Sequence, residues 1–235
     1  MTNNQQPIIG ITLDHQKEGS FSKRPYFALR ENYFTAIINA GGLPVALPHN
    51  ADLIDKYLSK INGLVIPGGD FGLDPNWYID GEKPAFAASK RLEFDVKIIT
   101  CALAKNIPLL GICAGMQILA GMHGCKLSSK IQSHSKTGRN HLNEVLAENY
   151  AHDIIVQSGT TLHSIVGSKM PVNSRHTEGV VSLSDQVVLS GTSDDGIIEA
   201  IEIKGKKFAL GVQWHPEFFT GDANAKVFAA LINSV

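Results

Sequence analysis

The sequence predicts an α/β fold in which a mostly parallel sheet is covered by helices. Short apolar runs alternate with segments of helical apolar spacing through the first half of the chain. Such alternation is typical of parallel strands joined by right-handed helical crossovers. The second half is richer in strand patterns. The length of 235 residues suits one hydrophobic core system, and no linker or repeat interrupts it, so residues 1–235 are predicted to form a single domain.

The first half contains strand, helix and turn signals in a regular order. Glycines at 41 and 42 end the first helix, and a turn of Pro67, Gly68 and Gly69 ends the third strand. A loop rich in Asp, Pro and Gly occupies residues 71–84. The predicted strands are 8–13, 45–47 and 63–67, and the predicted helices are 26–40, 52–58 and 86–106, the last being the longest.

The second half begins with a strand at 109–112 and helical character at 116–120. Residues 126–150 are polar and predict a solvated loop or lid, with His134 and His141 in a Ser, Lys, Arg and Asn setting. No HxxxH, HxH or CxxC spacing indicates a metal site there. Further strands are predicted at 153–156, 180–183, 187–190, 197–203 and 208–212, and helices at 161–166 and 222–232.

Composition excludes several classes of function. The net charge of −1 gives no sign of binding to nucleic acid or to an anionic membrane surface. No apolar run reaches the roughly 18 residues of a membrane span, and the polar N-terminus lacks the pattern of a secretory signal. Three cysteines without a CxxC pair favour a reducing compartment, so a cytoplasmic location is expected.

The stretch Gly111-Ile-Cys-Ala-Gly115 places a cysteine between two glycines, each two residues away. This spacing is typical of a strand–turn–helix elbow that lifts a nucleophile out of the sheet. Helix-end N–H groups at such a turn favour the thiolate form of Cys113. The alternative is a buried structural cysteine. Cys101 is interpreted as a small core residue of the long helix, and Cys125 as a turn residue.

The stretch Gly211-Val-Gln-Trp-His-Pro-Glu217 follows the strand at 208–212. Pro216 disfavours helix at His215, and in an extended chain residues two apart point the same way. The Glu217 carboxylate could then orient the His215 imidazole, whose other nitrogen would accept the Cys113 proton. A surface turn is the alternative for this motif taken alone.

An acyl-transfer site also needs N–H donors for the developing oxyanion. The residue after the nucleophile, Ala114, would supply one donor. A second could come from Gly68 or Gly69, at the carboxyl end of a strand, where α/β sheets bind ligands. An ordinary strand-end turn is the alternative for these glycines.

These three motifs together resemble the signatures of class I glutamine amidotransferase domains, in the same order along the chain. Within that superfamily the chain is most similar to the gamma-glutamyl hydrolase branch. The branch resemblance extends to the opening residues 7–12, residues 40–48, Asp74 with Pro75 and Tyr78, and residues 152–156 and 172–179. It covers most of the chain except about residues 124–150. It implies a flavodoxin-like fold with helices on both faces of the sheet and extra antiparallel strands in the C-terminal half.

The resemblance implies a role for each matching residue. It makes Cys113 the nucleophile, His215 the base and Glu217 its orienting group. The remaining implied positions are backbone oxyanion donors at Gly69 and Ala114, and substrate contacts at Gly68, Gln117 and His176. For His176, a polar loop histidine is the alternative.

Four departures from the branch pattern surround the expected pocket. Ala114 stands where the branch commonly has arginine, and Ala120 where asparagine is frequent. The usual Arg-Asp-x-x-Glu of the long helix reads Arg91-Leu-Glu-Phe-Asp95, and residues 123–127 replace a glycine-rich segment. None of these departures touches the triad. They leave the identity of the substrate open.

The function expected from this resemblance is hydrolysis of a small-molecule gamma-glutamyl amide through a Cys113 thioester, with no metal or organic cofactor. The alternative is a glutaminase subunit that delivers ammonia to a separate synthase, for example of the anthranilate synthase type. A non-catalytic binding protein is disfavoured by the intact triad. A homodimer is compatible with the sequence, which does not determine the oligomeric state or the pathway.

Overall fold

The computed structural model describes residues 6–142, 149–218 and 221–235. Its helices are α1 (Glu31–Asn39), α2 (Ile54–Leu58), α3 (Lys90–Ala104), α4 (Ala114–Met122), α5 (Thr161–Val166) and α6 (Asp222–Asn233). Among the described residues, none of these helices is long and apolar enough to cross a membrane.

The predicted strands agree with the observed ones to within a few residues. The observed strands are β1 (Ile8–Thr12), β2 (Asp14–Gln16), β3 (Tyr26–Ala28), β4 (Leu43–Leu47), β5 (Gly63–Ile66), β6 (Leu109–Ile112), β7 (Lys126–Ser128), β8 (His152–Val156), β9 (Lys169–Val172), β10 (Gly179–Ser182), β11 (Val187–Ser193), β12 (Ile198–Ile203) and β13 (Ala209–Val212). Four observed strands were not predicted: β2, β3, β7 and β9.

Within the described ranges, nine strands form one sheet in the order β4-β1-β5-β6-β13-β12-β11-β8-β9. The pairs from β4 through β13 are parallel, and those from β13 to β9 are antiparallel. The predicted parallel sheet with antiparallel strands in the C-terminal half is therefore confirmed. Two small antiparallel sheets, β2 with β3 and β7 with β10, lie outside it.

Two hydrophobic cores cover the two faces of this sheet. Helices α2, α3 and α4 contribute to one core, and α1, α5 and α6 to the other. Successive strand residues alternate between the cores: Leu64 and Ile66 belong to the first, and Val65 to the second. This alternation follows from the two-residue period of a strand, and it explains why the central strands read as continuous apolar runs.

The helix predicted at 26–40 is wrong in its first part. Residues Tyr26–Ala28 form β3, which pairs with β2, and α1 begins at Glu31. The Phe27 ring packs on His49 at 4.8 Å between centroids, so this aromatic residue contacts another segment instead of continuing the helix face. Tertiary packing here overrides the helical spacing of the apolar residues.

The predicted longest helix begins later than expected. Ser89 caps α3, because its hydroxyl accepts a hydrogen bond from the Arg91 N–H at 3.2 Å. The helix ends at Ala104, just before Asn106, whose φ is 57°. Residues 86–89 therefore belong to the preceding loop, which also contains a 3-10 helix at Pro75–Trp77.

Residues 126–150 were expected to form a solvated loop or lid. Residues 132–140 are exposed or half-buried, as that expectation requires, but it is wrong for other described parts of the segment. Strand β7 pairs with β10, a 3-10 helix spans Ile131–His134, and His141 is buried. Residues 143–148 of that segment lie outside the described ranges. Strand β9, which the sequence did not predict, contains Pro171 and pairs only with β8 at the edge of the sheet, where proline is tolerated.

Candidate active site

Three neighbouring strands end at the same edge of the sheet and carry the three motifs. Strand β6 lies between β5 and β13, and all three are parallel. Gly111 of β6 pairs with Gly211 of β13, and the Cys113 N–H donates to the Val212 carbonyl at 2.8 Å. The carboxyl ends of parallel strands are where such sheets bind ligands, so the fold brings the motifs together.

The elbow predicted around Cys113 is confirmed as a strand–turn–helix geometry. Cys113 separates β6 from α4 and has φ 51° and ψ −107°, a conformation that non-glycine residues rarely adopt. A Cβ at Gly115 would lie 2.2 Å from the Ile66 carbonyl oxygen, so only glycine fits there. A strained residue at this position is typical of nucleophile elbows.

His215 and Glu217 form the expected pair. The His215 Nδ1 lies 2.7 Å from the Glu217 Oε1, and both side chains are buried. The expected extended path through residue 217 is wrong, since Pro216–Phe218 forms a 3-10 helix. The 3-10 turn brings the Glu217 carboxylate to the His215 ring, a contact that was expected to arise from an extended chain.

Gly68 lies against both Cys113 and His215. A Cβ added at Gly68 would sit 2.8 Å from the His215 Cε1 and 3.2 Å from the Cys113 Cβ. Glycine is thus required by the close approach of the two side chains. The backbone N–H of Gly68 donates to the buried Tyr33 hydroxyl at 3.0 Å, which holds this turn in place.

The electrostatics of this group favour a protonated His215 imidazole. Burial lowers the pKa of His215, but the Glu217 carboxylate and the Cys113 thiolate outweigh burial and raise it to about 10. Burial and the Glu217 carboxylate also raise the pKa of Tyr33 well above its ordinary value, so this hydroxyl stays neutral. The arrangement therefore holds a proton donor, His215, beside the cysteine.

Arg91 fixes the turn that carries Gly69. It is fully buried, donates from Nη1 to the Gly68 carbonyl at 2.8 Å and from Nη2 to the Pro67 carbonyl, and pairs through Nε with Asp95 at 2.9 Å. In a trans peptide the N–H points away from the C=O. Arg91 therefore turns the Gly69 N–H to the side opposite the guanidinium.

A cavity of about 490 Å³ opens beside the elbow. Its lining includes Gly69, Cys113, Gln117 and His176. Gln117 is buried and donates to the Glu178 carbonyl at 2.9 Å and to the Gln213 side chain at 3.2 Å. Ala114 is buried at the first position of α4, where the backbone N–H has no intrahelical acceptor.

Sequence reasoning missed Asn173 and Glu178. The Asn173 side chain makes two hydrogen bonds of 2.8 Å to the backbone N–H and C=O of His215. The Glu178 carboxylate lines the cavity and accepts hydrogen bonds from the Tyr78 hydroxyl at 2.6 Å and the Ala85 N–H at 2.5 Å. Burial raises the pKa of Glu178. Both residues lie in the segment 172–179 that carried the branch resemblance, the one signal that pointed toward them.

A second group of titratable side chains lies outside the triad. His141, His152 and His176 surround the fully buried Glu199 carboxylate of β12, and Asp195 contacts His141. His134, the other histidine of the expected polar segment, is exposed. No metal-site spacing is visible in the sequence for these residues, because they come from four separate segments.

Comparison with known proteins identifies the family. The Peptidase C26 family matches residues 7–217. The chain belongs to the Peptidase C26 family. The predicted likeness to class I glutamine amidotransferases and gamma-glutamyl hydrolases is thereby confirmed. A glutamine amidotransferase-like protein of Rickettsia prowazekii (strain Madrid E) is 33% identical, with 98% of both chains covered.

This Peptidase C26 chain is also similar to a gamma-glutamyl-gamma-aminobutyrate hydrolase of Escherichia coli (strain K12), at 33% identity over 90% of this chain and 86% of the relative. Among solved structures, the glutaminase domain of Trypanosoma brucei CTPS with bound acivicin superposes with a TM-score of 0.63 at 15% identity, covering 97% of this chain and 93% of that one. At that identity the superposition supports the fold alone.

Proposed function

We propose that this Peptidase C26 protein hydrolyses a gamma-glutamyl amide bond through a thioester on Cys113. The observation that carries the proposal is the 2.7 Å pair of His215 and Glu217, set beside a cysteine at the elbow between β6 and α4. A nucleophile, a base and a group that orients the base are the parts that acyl transfer requires. The relatives in the family support the same bond type.

In the first half of the reaction, the Cys113 thiolate attacks the gamma-carbonyl carbon and forms a C–S bond. The backbone N–H groups of Gly69 and Ala114 stabilise the oxyanion. When the tetrahedral intermediate collapses, the C–N bond breaks and the His215 imidazolium gives its proton to the leaving amine. The raised pKa of His215, about 10, keeps that proton available at neutral pH.

In the second half, the now neutral His215 takes a proton from water, which attacks the thioester carbonyl. The C–O bond forms and the C–S bond breaks, so glutamate leaves and the Cys113 thiolate returns beside a protonated His215. Glu217 accepts from Nδ1 throughout and holds the tautomer that presents Nε2 to the reacting atoms.

The charges at the cavity support a glutamyl group as the acyl part. Asp70 and Arg175 are exposed at the opening of the cavity beside Cys113, and Arg30 lines an adjoining space of about 280 Å³ that also contacts Cys113 and His215. An alpha-amino and an alpha-carboxylate group could pair with these opposite charges. Gly68, Gln117 and His176 are proposed as the substrate contacts within the cavity.

The deciding experiment is steady-state turnover by the pure chain on a panel of gamma-glutamyl amides, beginning with gamma-glutamyl-gamma-aminobutyrate and including glutamine. We expect release of amine without any partner protein, and none from Cys113→Ala. If the pure chain turned over none of the amides and released ammonia from glutamine only with a synthase added, the function would be that of a glutaminase subunit.

A further inference from the structure

The buried cluster around Glu199 has an unusual set of distances. From the Glu199 Oε1, the His141 Nδ1 lies at 3.4 Å, the His152 Nε2 at 3.4 Å and the His176 Nε2 at 3.5 Å. These separations exceed the 2.7–3.2 Å of ordinary N–H···O hydrogen bonds. Among the described residues, both Glu199 carboxylate oxygens and the His176 Nε2 have no hydrogen-bond partner, although all are buried.

In His141 and His176, the ring nitrogen that points away from Glu199 makes a hydrogen bond to another group. That hydrogen bond determines the tautomer, and so whether the nitrogen facing Glu199 has a lone pair. The His141 Nε2 lies 3.0 Å from the Asp195 Oδ2, and the His176 Nδ1 lies 2.9 Å from the Glu178 carbonyl oxygen. Both partners are acceptors, so these nitrogens carry hydrogen. In a neutral ring the other nitrogen then has a lone pair. Those lone pairs face the Glu199 oxygen, an arrangement that is repulsive unless a cation lies between them.

We propose that His141, His176 and Glu199 bind a divalent first-row transition metal ion, with zinc as the best match. Their ligand atoms lie within 4.8 Å of one another, and the His152 Nε2 approaches the same carboxylate oxygen. Ligands about 2.0–2.1 Å from a tetrahedral zinc ion are separated from each other by about 3.3–3.4 Å. The nitrogen-to-oxygen distances of 3.4–3.5 Å match that spacing, and the whole set, which is spread over up to 4.8 Å, would draw closer together around the ion. Imidazole with carboxylate is a donor set that zinc accepts.

The surroundings of the histidines match those of metal ligands in other proteins. A metal-binding histidine commonly donates its outer N–H to a carboxylate or to a backbone carbonyl, and here Asp195 and the Glu178 carbonyl are those acceptors. Asp195 is itself held by the hydroxyls of Ser135 and Ser193. The Arg139 Nη1 lies 3.7 Å from the Asp195 Oδ1 and offsets the charge of that carboxylate. The buried Glu199 carboxylate among neutral imidazoles would be costly without a positive charge, and a divalent ion supplies it.

Two further observations bear on access and consequence. A cavity of about 550 Å³ is lined by His141 and His176, which gives an ion a route to the cluster. His176 also lines the cavity that contains Cys113. The ion would link His141 and His176 to Glu199 of β12. It would thereby restrict the motion of His176, which lines the catalytic cavity, without contacting the triad.

The competing occupant is a proton on the imidazole rings. The Ser174 Oγ lies 3.2 Å from the His141 Nδ1 and donates to the His141 carbonyl at 2.8 Å, so it could accept a proton carried there. A doubly protonated His141, together with Arg139 at 3.7 Å from the Asp195 Oδ1, would neutralise the two carboxylates without metal. The experiment must therefore distinguish metal ions from protons.

The test is zinc content, measured by mass spectrometry on chelator-stripped protein after dialysis against zinc sulfate. It is done in a Cys113→Ala background, so that the thiolate cannot bind zinc and the result does not depend on the proposed catalytic function. We expect one zinc ion per chain and a raised midpoint of thermal unfolding. The matched control, His134→Gln at an exposed histidine, should bind zinc equally well.

The cluster variants should form a graded series. Glu199→Gln keeps the size of the side chain and should lose stoichiometric zinc. Among the proposed ligands, Asp195 contacts only the outer nitrogen of His141, so Asp195→Asn should weaken binding by about 10–100-fold. If Glu199→Gln does not fold, as judged by circular dichroism, His176→Gln read by zinc content replaces it.

Two results would overturn the proposal. One is a Cys113→Ala protein that retains no stoichiometric metal after dialysis against zinc sulfate or cobalt sulfate. Its nitrogen NMR spectra would then show doubly protonated imidazoles that zinc does not alter. The other is a folded Glu199→Gln or His176→Gln variant that binds zinc as tightly as the His134→Gln control. The first result would assign the cluster to buried protonated histidines, and the second would show that zinc binds elsewhere.

Discussion

Cys113 differs from the other two cysteines in its surroundings, and that difference leads to the first prediction. Burial raises the pKa of the Cys125 thiol, and Cys101 lies in the last turn of α3, far from the N-terminus of that helix. Only Cys113 has a helix N-terminus and His215 beside it. An electrophilic glutamine analogue should therefore label Cys113 well ahead of the other two, as read by peptide mass spectrometry. Equal labelling of all three would contradict the elbow assignment.

The second prediction concerns the alkaline limit of activity. The raised pKa of His215, about 10, depends on the Glu217 carboxylate and the Cys113 thiolate. As pH rises through that value, His215 loses the proton that the leaving amine needs, so kcat/KM should fall. Glu217→Gln removes one of the two negative charges and should move this alkaline limb to lower pH.

The same variants rank the roles of the two residues. His215→Ala should remove nearly all activity, whereas Glu217→Gln should be milder because the base is still present. The measurement is a pH profile of kcat/KM for both variants. An unchanged alkaline limb in Glu217→Gln, or a greater loss there than in His215→Ala, would require the roles to be reassigned.

At this scale the sequence predicted the residues whose signals are local. Cys113 between two glycines and His215 two residues before Glu217 are short-range patterns, and the structure brings them together. Asn173 and Glu178 contact the site through segments far away in sequence, so no local spacing reveals them. The histidine cluster was missed for the same reason, since local spacing cannot show ligands contributed by separate segments.

At the scale of elements, helix α3 contributes the clamp on the Gly69 turn. Arg91 bridges the Pro67 and Gly68 carbonyls and Asp95, and its guanidinium lies 4.5 Å over the Phe71 ring. The spacing of Arg91 and Asp95 was noted in the sequence as a departure from the branch pattern. Its role as an i,i+4 pair directed at the glycine turn becomes visible only when α3 packs beside the turn that follows β5.

The third prediction tests this clamp with Arg91→Lys. A lysine keeps the charge but cannot make the forked contacts of a guanidinium, so the Gly69 N–H would lose its fixed direction. We expect kcat to fall by up to about 10²-fold, in the range for loss of one oxyanion donor, while KM changes little.

The control for Arg91→Lys is Lys97→Met on the exposed face of the same helix. Lys97 pairs with Glu93 in solvent, and such an exposed pair contributes little to stability. Activity of Lys97→Met should equal that of the parent. A loss in Arg91→Lys that appeared only in KM, or only as a lower midpoint of unfolding with kcat intact, would mean that Arg91 acts on stability alone.

Element boundaries were predicted where capping or glycine signals exist and missed where a tertiary contact decides. The Gly41 and Gly42 signal matches the end of α1, while Tyr26–Ala28 became a strand because β2 offered a partner. Strand β9 was missed because Pro171 argues against a strand, and its edge position is visible only in the sheet.

At the scale of the whole molecule, the single nine-stranded sheet supports both hydrophobic cores within the described residues. Each central strand contributes side chains to both faces, so neither core can lose its strands without exposing the other. If residues 1–235 form one domain, as predicted, the chain should therefore unfold in one cooperative transition.

The fourth prediction compares one isoleucine from each core with an exposed one. Ile98 of α3 and Ile37 of α1 are fully buried on opposite faces, whereas Ile38, the residue next to Ile37, is 55% exposed. Ile98→Ala and Ile37→Ala should each lower the free energy of unfolding by about 2–5 kcal/mol, and Ile38→Ala should change it by less than about 0.5 kcal/mol.

The measurement is urea unfolding followed by far-UV and near-UV circular dichroism. In both core variants the two signals should shift together, because the shared sheet couples the faces. If Ile98→Ala displaced only part of the transition while Ile37→Ala displaced the rest, the two faces would be separate folding units and the one-domain prediction would be wrong.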